Sequence, residues 1–108
     1  MQTTKRAKLA RAGWRVGSVD EFLGLSAQES ALIELKLALS ADLRRRRIAR
    51  RLSQGDLARL LGSSQSRVAK MEAADPSVSM DLLVRAHFAL GATPRDLARA
   101  FVRASRAA

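Results

Sequence analysis

The stretch Leu52–Ala73, LSQGDLARLLGSSQSRVAKMEA, decides how this chain folds. It holds two short runs at helical spacing, separated by Gly62-Ser63-Ser64. In the first, Ser53 stands three residues ahead of Asp56, a variant of the capping box. Leu57, Ala58, Leu60 and Leu61 then carry an apolar face as far as Gly62. Glycine can take the positive φ that closes a helix. Ser64 caps a second run from Gln65, whose inward positions are Val68, Ala69 and Met71. The two helices are expected to approach closely at Ala58, where a larger side chain would hold them apart, with Val68 as the apolar pin. That leaves Gln65, Ser66, Arg67 and Lys70 on the outer face of the second helix.

The rest of the chain supports this pair with more helix. Residues 1–15 are basic and Ala-rich and read as a flexible tail; residues 16–106 read as one helical domain. Ser18 and Glu21 make a capping box for a short turn ending near Gly24. Ser26 and Glu29 make another, which opens a long helix from Ala27. Neither Gly nor Pro appears until Gly55, and Leu32, Leu35, Leu39 and Leu43 recur along one stripe. The basic run LRRRRIARR ends that helix, in keeping with the negative end of its dipole. Downstream, Asp75-Pro76-Ser77 reads as a loop and Ser79 as the cap of a helix from Met80 to Leu90, ended by Gly91. Thr93-Pro94-Arg95-Asp96 is a capping box with Pro at the first helical place, opening a last helix toward Arg106. No segment alternates with period two. The expectation is an all-α, single-domain bundle of five to six helices.

Composition narrows the function. The chain has 108 residues, enough for one domain with a modest core. Apolar residues make up 47 %, which excludes wholesale disorder, and only 4 % are aromatic, so the core must be Leu, Ala, Val and Ile. With no cysteine and a single histidine, His87, neither disulfides nor a metal site is expected, and no cofactor is implied. His87 is expected on the inner edge of its helix, and Trp14 to pin the tail to the body. No long apolar run and no signal-peptide core is present, so a soluble cytoplasmic, nucleoid-associated protein without membrane contact is expected. Twenty Lys and Arg against ten acids leave a net charge of +10, which points to a polyanionic partner. Few aromatics argue against single-strand binding by base stacking. An enzyme is not expected: no carboxylate pair and no phosphate-binding glycine motif is present. A basic helical protein that binds RNA or the ribosome stays open on charge alone.

Two helices hinged by a short turn containing Gly form a helix-turn-helix, whose second helix enters the major groove. Gln and Lys side chains there match the base edges of adenine and guanine. Residues 43–90 resemble the Cro and phage-repressor helix-turn-helix family, also called the xenobiotic-response-element family. The resemblance is carried by Leu52, Ser53, Gln54, Leu57, Ala58, the Leu60–Leu61 pair, Gly62, Ser64, Gln65, Ser66, Val68, Lys70 and Glu72. It implies duplex DNA as the partner, with Gln65, Ser66 and Lys70 reading bases. Gln54, Ser53, Ser64 and Arg67 would lie at the DNA backbone, where one or two of Arg44, Arg45 and Arg51 would also meet phosphate. Arg47 would pair with Glu72 as a structural ion pair. Arg46 departs from the family pattern, which favours a small or apolar residue there.

The segment GSVDEFLGLSAQESALIELKLAL, ahead of this core, resembles the single-domain antitoxins of the HigA type, encoded beside a RelE-like or HigB-like toxin. That likeness implies a repressor of its own operon, acting as a homodimer on a palindromic operator; a stand-alone or phage-type repressor is the alternative. Leu97, Phe101 and Val102 on the last helix could form the dimer interface, or close the monomer's core, and Phe88 and Leu90 could join them. Leu25, Ile33 and Leu37 on the front helix could face a twin or a toxin.

Overall fold

The computed structural model describes residues 26–107. Among them are five helices and no strand: α1 (Ala27–Ala49), α2 (Gln54–Leu61), α3 (Gln65–Glu72), α4 (Met80–Ala89) and α5 (Pro94–Ala107). The all-α expectation holds. The tail, Trp14, Leu25 and the Ser18–Glu21 box lie outside the described residues.

The chain divides into two units between Glu34 and Leu35, within the span of α1. In the first, the Ser26 box opens α1: Ser26 Oγ accepts from the Glu29 N–H at 3.0 Å and donates to Glu29 Oε1 at 3.2 Å. In the second, Leu39 and Leu43 of α1 pack in one core with Leu57 and Ala58 of α2, Val68 and Met71 of α3, and Leu83 and Ala86 of α4. Val78, Leu90 and Leu97 complete it. Only Leu39 and Leu43 of the expected stripe are buried; Leu32 and Leu35 are exposed, so the apolar face of α1 serves the core from its second half alone. Leu60 is a further correction. It follows the apolar run of α2 in sequence but points to solvent, 58 % exposed, because Leu57 and Leu61 already fill the two inward places one turn apart.

Four successive helices stop in the same way. In each, one N–H past the last turn bonds back to the carbonyl five residues earlier, and its predecessor, in a left-handed conformation, bonds back three, the Schellman closure. After α1 the bonds are Leu52 N–H to Arg47 O (3.1 Å) and Arg51 N–H to Ile48 O (2.9 Å). After α2 they are Ser63 to Ala58 and Gly62 to Arg59; after α3, Asp75 to Lys70 and Ala74 to Met71; after α4, Ala92 to His87 and Gly91 to Phe88. Glycine holds the left-handed place twice, at Gly62 (φ 63°) and Gly91 (φ 85°). Arg51 (φ 58°) and Ala74 (φ 56°) hold it without that freedom. Helix α4 therefore ends one residue before the Leu90 expected from sequence.

Candidate nucleic-acid interface

Both helices of the central pair are fixed at their N-termini by serine. Ser53 Oγ accepts from Asp56 N–H at 3.0 Å while Asp56 Oδ2 accepts from Ser53 N–H at 2.8 Å, completing the capping box. Hydrogen bonding from the Ser53 backbone, and then the Ser53 side chain, holds the Asp56 carboxyl below the usual carboxylate range, with Arg59 adding to it. Ser64 Oγ caps α3 by accepting from Arg67 N–H at 3.2 Å. With Val68 and Met71 fully buried against the core, the rotation of α3 is set. Gln65, Ser66, Arg67 and Lys70 face solvent, as the sequence pattern predicts.

A chain of hydrogen bonds runs under that face. Gln65 Nε2 donates to Gln54 Oε1 at 2.8 Å, and Gln54 Nε2 donates to Glu72 Oε1 at 3.2 Å. Glu72 receives Arg47 in a two-pronged pair, Nε to Oε2 at 2.6 Å and Nη2 to Oε1 at 3.0 Å. Arg47 Nη1 also donates to the Leu52 carbonyl at 2.7 Å, tying the end of α1 to the link before α2. Both members of the pair are largely buried, 12 % and 4 % exposed in their side chains. The hydrogen bond to Glu72 raises the Arg47 pKa against the opposing effect of burial. The first residue of α3 is thus steadied through Gln54 by its last. An amide NH2 carries two donors. With one spent on Gln54, Gln65 keeps an N–H and Oε1, the donor and acceptor that adenine requires for a two-point contact.

Beside the exposed face lies a cavity of about 330 Å³ lined by Ser64, Ser66, Arg67, Lys70, Ser77, Val78 and Leu82. Two cations and three hydroxyls around one hollow suit a phosphate oxygen. Ser77 was not among the residues expected here. Its signal was the Asp75-Pro76-Ser77 turn, in which Asp75 Oδ1 accepts from both the N–H (2.9 Å) and the hydroxyl (2.6 Å) of Ser77. Those two bonds hold the Asp75 carboxyl below its usual range.

The other expected residues scatter. Arg44 and Arg51 are exposed, whereas Arg45 is drawn to Asp42 Oδ1 at 2.6 Å. Arg46, the residue out of pattern, reaches Asp42 Oδ2 at 2.7 Å, so it lies along its own helix instead of pressing on a neighbour. Asp42 is buried, and so is His87, whose Nδ1 donates to the Leu83 carbonyl at 2.8 Å. His87 Nε2 lies 3.2 Å from Asp42 Oδ2, at ion-pair range, without forming a hydrogen bond to it. His87 is therefore inside the core, beyond the inner edge expected of it. Of the three α5 residues, Leu97 belongs to the chain's own core, Phe101 is half-buried against it, and Val102 is exposed. Leu90 is buried as well, while Phe88 is exposed.

A serine-capped helix pair hinged at a left-handed glycine, with a polar outer face on its second member, defines a helix-turn-helix protein, the kind of domain carried by DNA-binding regulators. Residues 38–101 match the family model described as a helix-turn-helix domain, and the chain belongs to that family. No curated protein and no solved structure matches the chain. No helix among the described residues is long and apolar enough to cross a membrane. No group of three or more His, Asp or Glu among them could hold a metal.

Proposed function

We propose that this protein is a sequence-specific repressor that places α3 in the major groove of duplex DNA. Gln65, Ser66 and Lys70 read bases, while Gln54, Ser53, Ser64 and Arg67 lie at the phosphate backbone. The observation that carries this reading is the outer face of α3: three base-matching side chains exposed above a buried Val68 and Met71. Ser77 and the hollow beside Lys70 extend the backbone contact. One recognition helix reads only a few base pairs, so a homodimer on a palindromic operator, its half-sites one turn of B-DNA apart, belongs to the same proposal. Exposed Phe88 and Val102 support α4 and α5 as its contact surface.

Within this reading the protein is an antitoxin that represses its own operon, and exposed Leu35 and Leu37 on α1 support a RelE-like toxin as its second partner. The stand-alone repressor differs only in lacking that partner. Co-expression with the product of a neighbouring toxin-like gene separates them: a stable complex supports the antitoxin, and two independently migrating proteins support the repressor.

The decisive test of DNA reading is Gln65→Ala. Binding to the operator should weaken by about 1–3 kcal/mol, with specificity relaxed at one base position and non-specific affinity intact. Equal weakening on every sequence would remove Gln65 from the base-reading set.

A further inference from the structure

We infer that the last turns of α1, together with Arg103 of α5, form a second oxyanion site that takes a phosphate group. A cavity of about 260 Å³ opens there, lined by Asp42, Arg45, Arg46, Ala49, Arg50 and Arg103. It shares no residue with the hollow beside α3. Four arginines and a single carboxylate therefore line one cavity. That carboxylate is committed already: Oδ1 of Asp42 accepts from Arg45 at 2.6 Å and Oδ2 accepts from Arg46 at 2.7 Å. Arg103 Nη1 comes no nearer than 3.9 Å, held by attraction without a hydrogen bond. The Arg50 guanidinium makes no hydrogen bond or ion pair to any described residue. Its Nη2 lies 3.7 Å from where a Cβ on Gly91 would stand, which places the head group beside the end of α4. Two of the four cations thus keep their donors unspent at the mouth of the cavity.

Guanidinium forks match the paired oxygens of a phosphate, and their charges repel one another until an anion is placed among them. The volume falls below the roughly 300 Å³ at which sites for drug-sized ligands begin, so a compact anion fits and a large organic ligand does not. A phosphate group can come from two sources, a free phosphate compound or the backbone of a nucleic acid. The site does not depend on α3 reading bases.

The test titrates inorganic phosphate into the full chain, against chloride at equal ionic strength, while backbone amide resonances are followed. Saturable shifts are expected at Ala49, Arg50, Gly91 and Arg103. Arg50→Gln with Arg103→Gln should weaken phosphate binding by about tenfold or more, the worth of one charge-assisted hydrogen bond. Both side chains are exposed, and Arg103→Gln alone serves as a second variant. Gln65→Ala should leave the titration unchanged, so failure of the base-reading proposal is distinguishable from failure of this one. Shifts that grow linearly, or that persist undiminished in both variants, overturn the site. A second arm names the source through the salt dependence of binding to a non-operator duplex. A backbone source lowers the log–log slope in the double variant by about one unit for each phosphate that is no longer neutralised. An unchanged slope beside an intact phosphate titration assigns the site to a free phosphate compound.

Discussion

Arg47 does three jobs with one guanidinium: it pairs with Glu72 at the end of α3, caps the Leu52 carbonyl, and through Glu72 steadies Gln54. Removing it strands a carboxylate that is almost fully buried, which costs more than the pair itself contributes. Arg47→Ala should destabilise the fold by about 3 kcal/mol or more, read as a fall in the denaturation midpoint at unchanged m-value. Adding Glu72→Gln to that variant should recover much of the loss, because the stranded charge is then gone. A melting temperature unmoved by Arg47→Ala would show that the pair carries no stability. The family resemblance already implied the Arg47–Glu72 pair, and the outward set Gln65, Ser66 and Lys70 could be read from the apolar places between them. The Gln65–Gln54 bond could not, since two glutamines eleven places apart meet only once the hinge angle is set. Nor could the capture of Arg45 and Arg46 by Asp42. In a run of four arginines, every one is equally free until the burial of one carboxylate decides between them.

Helix starts were more legible than helix stops, because a start is announced by a side chain and a stop by a backbone angle. Ser26, Ser53, Ser64, Ser79 and the Thr93–Asp96 box each cap the helix expected of them. Of the four Schellman closures only those at Gly62 and Gly91 carry glycine. Arg51 and Ala74 adopt the same left-handed angle against the crowding of their own Cβ, which costs roughly 1–2 kcal/mol for an L-residue. Ala74→Gly should therefore stabilise the protein, by about 0.5–1 kcal/mol after the extra freedom glycine gains in the unfolded chain is set against it. The measurement is the shift of the denaturant midpoint, with Ala73→Gly as the contrast. Ala73 sits at φ −87°, where glycine relieves nothing and should destabilise. A loss of stability in Ala74→Gly would mean that the closure after α3 is not under strain. Arg51 offers a harder comparison, since replacing it also removes a cation expected near phosphate. A change there that stabilises the fold and weakens DNA binding separates the two contributions.

At the scale of the whole molecule, an excess of ten positive charges must coexist with a buried carboxylate. Burial works against the charged form of Asp42, but hydrogen bonds from Arg45 and Arg46, with the charge of Arg46, outweigh it and hold the carboxyl below its usual range. The half-buried carboxyls of Asp56, Asp75 and Asp96 are lowered too, by the backbone or hydroxyl groups of Ser53, Ser77 and Thr93 respectively. All four shift in one direction, so the sign of the linkage is common. A carboxyl whose folded pKa is depressed binds fewer protons folded than unfolded. Its contribution is complete above the unfolded value, about 3.9 for Asp, and is lost as pH falls through the depressed folded values. Stability should therefore fall steeply below about pH 4, in step with the rising positive charge of a chain that is already strongly basic. Asp42→Asn should shift this acid limb in a way that identifies its origin. The variant is less stable at neutral pH, because Arg46 and His87 lose their shared carboxylate, yet its stability declines less on acidification. Denaturant unfolding of both proteins between pH 2 and pH 7 makes the comparison, and parallel curves would place the acid sensitivity in the surface caps, away from the cluster between α1 and α4.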